Sequence, residues 1–571
     1  MKRSLLRLLA TLSVGVIVLT ACDDILDKSA KSAFMDSPAY WSNVAEVASF
    51  TNDFYTNFDG YGQDGFLGWF YYKSLSDDQV NPTAFNWSFY AVPSRSDYWD
   101  DAFAQIKRAN SVIRNVGAST LTADMKTTFT AIARLNRAWL YFQLVREYGD
   151  VPWITTPAAT QDDRTLVADN RTDRDVVVDS IVADIDFAVA HLPEATDKTL
   201  WSSDMALALL SDVCLYEGTY CRYRTRADNG KAPNESRARM YLRKCVMASE
   251  ALIISGRYAL TADYGDVYHS ADLSHCREVI FFRNYEREVM THGLIAATTA
   301  SQQVYGLTKD AVDAFLFRDG KPKATTALDT TERATVNADG NYSITGMLQR
   351  RDKRLSAITD SIVYFKGATW SRLCSDGAVA PMASSTGYGI RKFDNTTLDS
   401  YYRTGSNTNY TDAPIFWYAV VLLNDAEALA ELGSITQDDL DVTVNLLQRR
   451  AGLPPLTLRP PHDPANKDGV SNLLYEIRRS RRCELMLDNW YRYWDLVRWH
   501  QLDKLDSRQH PNVNRGAQVA ISGKAEVTLD ADNYIIPSTE TRIYKPKYYF
   551  FPVPAAVIKA NPAVSQNPGW Q

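Results

Sequence analysis

The 571-residue chain carries 62 Lys and Arg against 68 Asp and Glu, a formal charge of −6 at neutral pH. With no basic block to offset that balance, the chain is not built to bind nucleic acid. Its apolar content of 45% is that of an ordinary globular protein, long enough for a large core or several modules.

Lys2, Arg3 and Arg7 form a basic start, and residues 8–20 form an apolar run too short to span a bilayer. Leu19, Thr20, Ala21 and Cys22 then resemble a bacterial lipobox, where small residues precede a cysteine that receives a diacylglycerol. Residues 1–21 are thus expected to be a lipoprotein signal peptide. The mature chain is expected to begin at a lipidated Cys22, exported and tethered without spanning the membrane. Asp23 and Asp24 follow as a short acidic segment, either a sorting signal or a solvated tether. The other six cysteines show no CxxC and no zinc-like spacing with histidine. Cys214, Cys245 and Cys483 fall in apolar helical stretches, as small buried hydrophobes do. No disulfide framework is expected.

In residues 131–148, Ile132, Leu135, Trp139 and Phe142 recur at spacings of three and four, predicting a helix that Gly149 and Pro152 stop. Residues 204–220 and 237–255 predict a helix pair, with Ala206, Ala208, Ala248 and Ala251 allowing close approach. Further helices are predicted over 416–432, stopped by Gly433, over 442–451, stopped by Gly452, and over 471–498, with a break near Asp488 and Asn489. Paired helices with alanine at the contacts point to tetratricopeptide-like packing. Between them lie long polar or Gly-rich stretches at 57–97, 324–341, 367–410 and 507–538. Such stretches usually carry function or short strands. The expected class is all-α: tetratricopeptide-like helix pairs with long irregular loops and a few short strands.

Five blocks in order carry a family resemblance. RAWLYFQLV at 137–145 runs into YGDVP at 148–152, and RAGLP occupies 450–454. EIRRSRRCEL at 476–485 is followed by RYWDLVRW at 492–499. FFPVP at 550–554 and QNPGW at 566–570 close the chain. Together they resemble the SusD/RagB family of surface glycan-binding lipoproteins. Ser480 stands where that family usually has Glu, Gln448 where it often has Arg, and Asp488-Asn489 where it has an acidic-Gly pair. The cluster of Arg478, Arg479, Arg481 and Arg482 among Glu476, Glu484 and Asp488 reads as an intramolecular ion-pair network, not a phosphate site.

The resemblance implies a single SusD-like domain over 22–571, with an N-terminal part to about 260 and a C-terminal part from about 261. It also implies an outer-membrane location facing the cell exterior, and a SusC-like TonB-dependent transporter as partner. The ligand would be an oligosaccharide or polysaccharide. A RagB-like branch of the family handles peptides, which is the alternative.

A sugar site needs exposed aromatic rings beside polar side chains. The densest mixture lies in 69–99, and Ser76-Asp77-Asp78 resembles an element that precedes the family's glycan loop. Asn86, Trp87 and Tyr90 are therefore the leading ligand candidates, with Trp69 and Tyr72 beside them. Asp77 and Asp78 are expected to shape the loop, and Trp99 and Phe103 to open a helix into the core. Trp370, Tyr388, Tyr401 and Tyr402 are candidates from the later loops. Enzymatic activity is not expected. Adjacent acids such as Asp77-Asp78 do not flank a scissile bond, and neither GxSxG nor HExxH occurs. No cofactor is indicated; the acidic loops would permit a structural calcium, though without EF-hand spacing.

Overall fold

The five long helices of the N-terminal half each begin where a short polar side chain accepts an otherwise unmatched backbone N–H. Ser96 caps α1 (Asp97–Ala118), Thr122 caps α2 (Ala123–Tyr148), and Asp173 caps α3 (Arg174–His191). Ser202 caps α4 (Ser203–Tyr223) and Asn234 caps α5 (Glu235–Ile254). The computed structural model describes residues 37–63, 76–80, 91–155, 170–226, 231–299, 305–365, 370–488, 491–520 and 526–571. Cys22 lies outside them.

These helices pack in sequence order, α1 on α2, α2 on α3, α3 on α4 and α4 on α5. Helix α8 (Tyr418–Leu432) continues the stack against α5, so the fold is the all-α, tetratricopeptide-like one the spacing predicts. Ala206, Ala208 and Ala248 are buried, whereas Ala251 is exposed. The tightest point is at Gly218, where an added Cβ would lie 2.7 Å from Cγ of Leu242. Among the described residues no helix is long and apolar enough to cross a membrane.

Two features differ from the periodicity. Helix α3 went unpredicted because Val176, Val177 and Val178 open it, and β-branched residues weigh against helix locally. Burial of Val177, Val178, Ile181 and Ile185 against α2 and α4 overrides that preference. The helix expected from 416 starts at 418, because Ala413–Trp417 is a strand that pairs antiparallel with Val279–Arg283.

The C-terminal half surrounds the stack with short helices and two-stranded ladders. Here α9 (Gln437–Val442) and α10 (Val444–Ala451) divide at Thr443, and α10 ends at Gly452 with φ +71°, a conformation glycine adopts without strain. The predicted 471–498 helix splits into α11 (Asn472–Glu484) and α12 (Tyr491–Arg498). At the split the buried Lys392 ammonium donates to the Met486 carbonyl at 2.8 Å and to Asp488 at 2.6 Å. Those bonds stabilise a backbone that places Leu487 at φ +70°.

The arginine cluster is an ion-pair network. Arg478 meets Glu431 on α8 at 2.7 Å, and Arg481 meets Asp495 on α12 at 2.9 Å. Arg498 grips Glu427 on α8 through two bonds of 2.7 and 2.6 Å. Arg137 on α2 holds Asp184 on α3 in the same forked way, at 2.8 and 2.9 Å. Of the six described cysteines all are free, five of them buried and Cys276 half-buried.

His292 is buried between the rings of Tyr61 and Tyr285, 5.1 and 4.7 Å away. Its Nδ1 accepts the Leu294 amide at 3.2 Å and its Nε2 lies 3.0 Å from the Thr411 carbonyl. That pattern fits a neutral ring protonated at Nε2. Burial lowers its pKa from 6.5 to about 3. Below pH 6.5 the unfolded chain takes up a proton that the folded chain refuses until about pH 3. This group's stabilisation is therefore complete above that window and falls with pH inside it, by about 1.4 kcal/mol per unit. His292→Gln, which keeps a donor and an acceptor, should flatten the pH dependence of the urea midpoint there. Equal slopes in the two proteins would remove His292 from the account.

Candidate functional site

The described residues show how the candidate loop is anchored, not the loop itself. Trp69, Tyr72, Asn86, Trp87 and Tyr90 lie outside them, while the segment 76–80 between lies inside. There, Asp77 accepts a forked pair of bonds from Arg492 of α12, at 2.8 and 2.7 Å. Asp78 accepts from Nε of Arg482 on α11 at 2.9 Å. Arg482 also stands 3.3 Å from Asp77 and 2.8 Å from Asp310. The Ser76 carbonyl accepts from Arg542 at 3.0 Å.

Both aspartates are almost fully buried, which by itself raises a carboxyl pKa. For Asp77 that effect is outweighed by Arg482 and Arg492, so its pKa lies below the usual range. For Asp78 burial prevails over Arg482, with Asp77 adding to the rise. The pair is thus tied to α11 and α12 immediately before residues 81–90, which lie outside the described residues.

From this base, β1 (Gln79–Val80) pairs antiparallel with β3 (Gly306–Leu307), Val80 opposite Gly306 (β2 is Val279–Arg283). A Cβ on Gly306 would sit 2.2 Å from Oγ1 of Thr386 and 2.4 Å from Oγ of Ser384, so only glycine fits there. On the far side of this ladder the Leu307 amide donates to the Tyr388 carbonyl at 3.2 Å. Ser385 donates to the Val80 carbonyl at 3.0 Å.

Trp370 reaches the same neighbourhood through a hairpin. It opens β4 (Trp370–Leu373), which pairs with β5 (Val379–Met382), Trp370 opposite Met382 and three residues from Ser385. The indole is half-buried and stacks on Tyr364, 6.1 Å between centroids and 25° between planes. Arg372 stands 5.5 Å from the ring and is itself paired with Asp360 and Asp394. The backbone of Tyr388 and the side chain of Ser385 thus adjoin the β1–β3 ladder, and the Trp370 hairpin ends three residues before Ser385.

The Tyr388 side chain is placed differently from an exposed platform. It is completely buried, its hydroxyl has no hydrogen-bond partner among the described residues, and burial holds its pKa well above 10. Tyr402 is nearly buried too, its hydroxyl donating to Glu288 at 2.6 Å and receiving Nε of Arg287 at 2.7 Å. Tyr401 is 62% exposed. Trp99 and Phe103 pack into the core at the start of α1. Ser385 and Arg372 escaped the sequence reading because a serine in a small-residue run and one arginine among many carry no spacing signal. Among the described residues no group of three or more His, Cys, Asp or Glu side chains converges as metal ligands.

Residues 277–570 match the model of the SusD family, and residues 26–215 match a model described as starch-binding associating with outer membrane. The chain belongs to the SusD family. SusD-like protein P2 of Formosa agariphila is 25% identical over 422 residues, 72% of this chain and 71% of that protein. A SusD-like carbohydrate binding protein from Bacteroides fragilis superposes with a TM-score of 0.69 at 20% identity, covering 92% of this chain and all of that one. A structure with xylogluco-oligosaccharide superposes with a TM-score of 0.60 at 17% identity, covering 93% of this chain and 97% of that one. At these identities the two structures establish the SusD-like fold.

Asp77→Asn should lower stability, because it leaves Arg492 without its buried counter-charge. Breaking a buried pair from one side costs about 3–5 kcal/mol. The urea midpoint should fall and amide exchange at 76–80 should speed up more than exchange in α2 or α4. An unchanged midpoint with unchanged exchange would mean that the aspartate does not anchor the loop.

Proposed function

We propose that this SusD-family protein captures oligosaccharide or polysaccharide outside the cell and delivers it to a SusC-like TonB-dependent transporter in the outer membrane. The observation that carries this is the match of residues 26–215 to a model described as starch-binding associating with outer membrane. The printed descriptions of a B. fragilis carbohydrate binding protein and of a xylogluco-oligosaccharide structure, both of this fold, support it. So does the composition of the stretch from Trp69 to Tyr90, whose aromatic, Asn and Gln side chains suit stacking on sugar CH faces and bonding to hydroxyls.

The protein acts by binding, not by catalysis. Asp77 and Asp78, the acids within the stretch from Trp69 to Tyr90, are already engaged by Arg482 and Arg492. A paired carboxylate is a poor general acid or base, and adjacent residues do not flank a glycosidic oxygen.

Calorimetry or affinity-gel binding of the mature chain against polysaccharide and peptide panels tests the reading. Saturable binding to a polysaccharide is expected. It should weaken about tenfold or more in Trp87→Ala, equivalent to about 1.4 kcal/mol, and less in Trp370→Ala. Binding to peptides alone would replace the glycan reading with a RagB-like one, and silence on both panels would refute capture by the isolated protein.

The anchor is proposed at Cys22, with the chain held at the outer face of the outer membrane. Cys22→Ala should abolish fatty-acid labelling and leave the protein out of the outer-membrane fraction. Retention of label in that variant would disprove the assignment.

A further inference from the structure

A cleft of about 950 Å³ opens between α6 (Asp266–His269) with its flanking loops, the start of α7 (Lys353–Ile358), and the loop at 391–397. Its volume is in the range of about 300–1,000 Å³ usual for small-molecule sites. Neither Trp370, Tyr388, β1 nor β3 lines it.

Both arginines of the floor are engaged by buried carboxylates. Arg450 pairs with Glu278 at 2.7 Å and with Glu484, and Arg354 pairs with Glu484 at 2.9 Å and Asp352 at 2.6 Å. The walls carry groups of both signs. Lys353 and Arg391 are exposed cations with no ion pair among the described residues. Asp263 gives one oxygen to the Gly265 amide at 2.7 Å, and Asp266 is exposed with no hydrogen bond to its carboxylate among the described residues. His269 is half-buried, and burial lowers its pKa, so at neutral pH it offers a donor and an acceptor.

This mixture selects a ligand class. A lone anion would meet Asp263 and Asp266 and a lone cation Lys353 and Arg391, while the apolar lining is limited to the methyls of alanines such as Ala262 and Ala357, the half-buried Cys276 and the nearly buried Tyr264. A neutral polyhydroxylated ligand donates to the carboxylates and accepts from the ammonium and guanidinium at once, with charge-assisted bonds. We propose that this cleft is a second saccharide site, taking a few rings of a neutral oligosaccharide between Asp266 and Arg391. The proposal rests on the glycan-capture reading. With no exposed ring to stack on, the site binds a free oligosaccharide weakly, but a polymer already held at the loop site meets it at high effective concentration.

Hydrogen exchange of the mature chain tests it, with maltoheptaose, a xylogluco-oligosaccharide and a galactomannan oligosaccharide added at millimolar concentration. At least one probe should slow exchange at both 261–272 and 391–397. In Asp266→Ala/Arg391→Ala, changes at two exposed positions, the protection there should weaken about tenfold or more in ligand concentration while protection near 370–388 stays. Protection confined to 370–388 would overturn the second site and leave glycan capture standing. Protection at the cleft that survives the double variant would overturn the roles of Asp266 and Arg391. Protection of the cleft by peptides and by no sugar would overturn the saccharide assignment. No protection anywhere by any probe would count against both the cleft and glycan capture.

Discussion

The pairing of the α11 and α12 arginines is the constraint on which the rest of the structure depends. Arg478, Arg481, Arg482, Arg492 and Arg498 have side chains no more than 10% exposed, and each reaches a carboxylate on another segment. Removing a guanidinium from water costs several kcal/mol unless an opposite charge and hydrogen bonds replace the water. An arrangement that leaves one of these five unmatched is penalised on that scale, so the set of tolerable packings is small. Arg498 shows how far one side chain reaches: it binds Glu427 of α8, Asp495 of its own helix and Thr219 of α4, the last at 3.1 Å. The helical stack and the C-terminal half are therefore oriented by charge as well as by apolar contact.

The same arginines connect fold to function. Arg482 and Arg492 lie more than 400 residues along the chain from Asp77 and Asp78, yet they fix where the proposed ligand loop starts. Loop entropy opposes holding a long excursion in one place. Two buried ion pairs, the Val80–Gly306 ladder and the Ser385 bond act together against it.

Much of the helical scaffold was legible because burial of one helix face leaves a 3.6-residue period, seen plainly in α2, α4 and α5. The parts that were not legible have particular causes. The β-branched start of α3 imitates a strand, and only contact with α2 and α4 decides it. Phe416 and Trp417 continue the apolar pattern of α8, but pairing with β2 makes them strand. Ala251 had the right type at the right spacing and still faces solvent, because spacing assigns a face and not what covers it. A helix break near Asp488 and Asn489 was visible, four residues beyond the observed helix end at Glu484, whereas Lys392, which holds Met486 and Asp488 there, is about 95 residues away in the chain.

For the site, composition distinguished the aromatic loops but not which rings are exposed. Tyr388 and Tyr401 look alike in sequence; one is completely buried and the other largely open. The cleft at α6 was invisible for a related reason: Asp266, Lys353, Arg391 and Arg450 come from four separate segments and share no motif. Such sites are assembled by packing, and the packing here is again ionic, because Arg450 and Arg354 converge on Glu484 at the end of α11. A substitution at an exposed wall position such as Asp266 or Arg391 changes what the cleft can hold without disturbing that convergence. A substitution at Glu484 takes a buried counter-charge from two arginines at once and threatens the fold. Ligand preference can therefore change at the walls and loop tips of this scaffold while the ionic floor stays fixed.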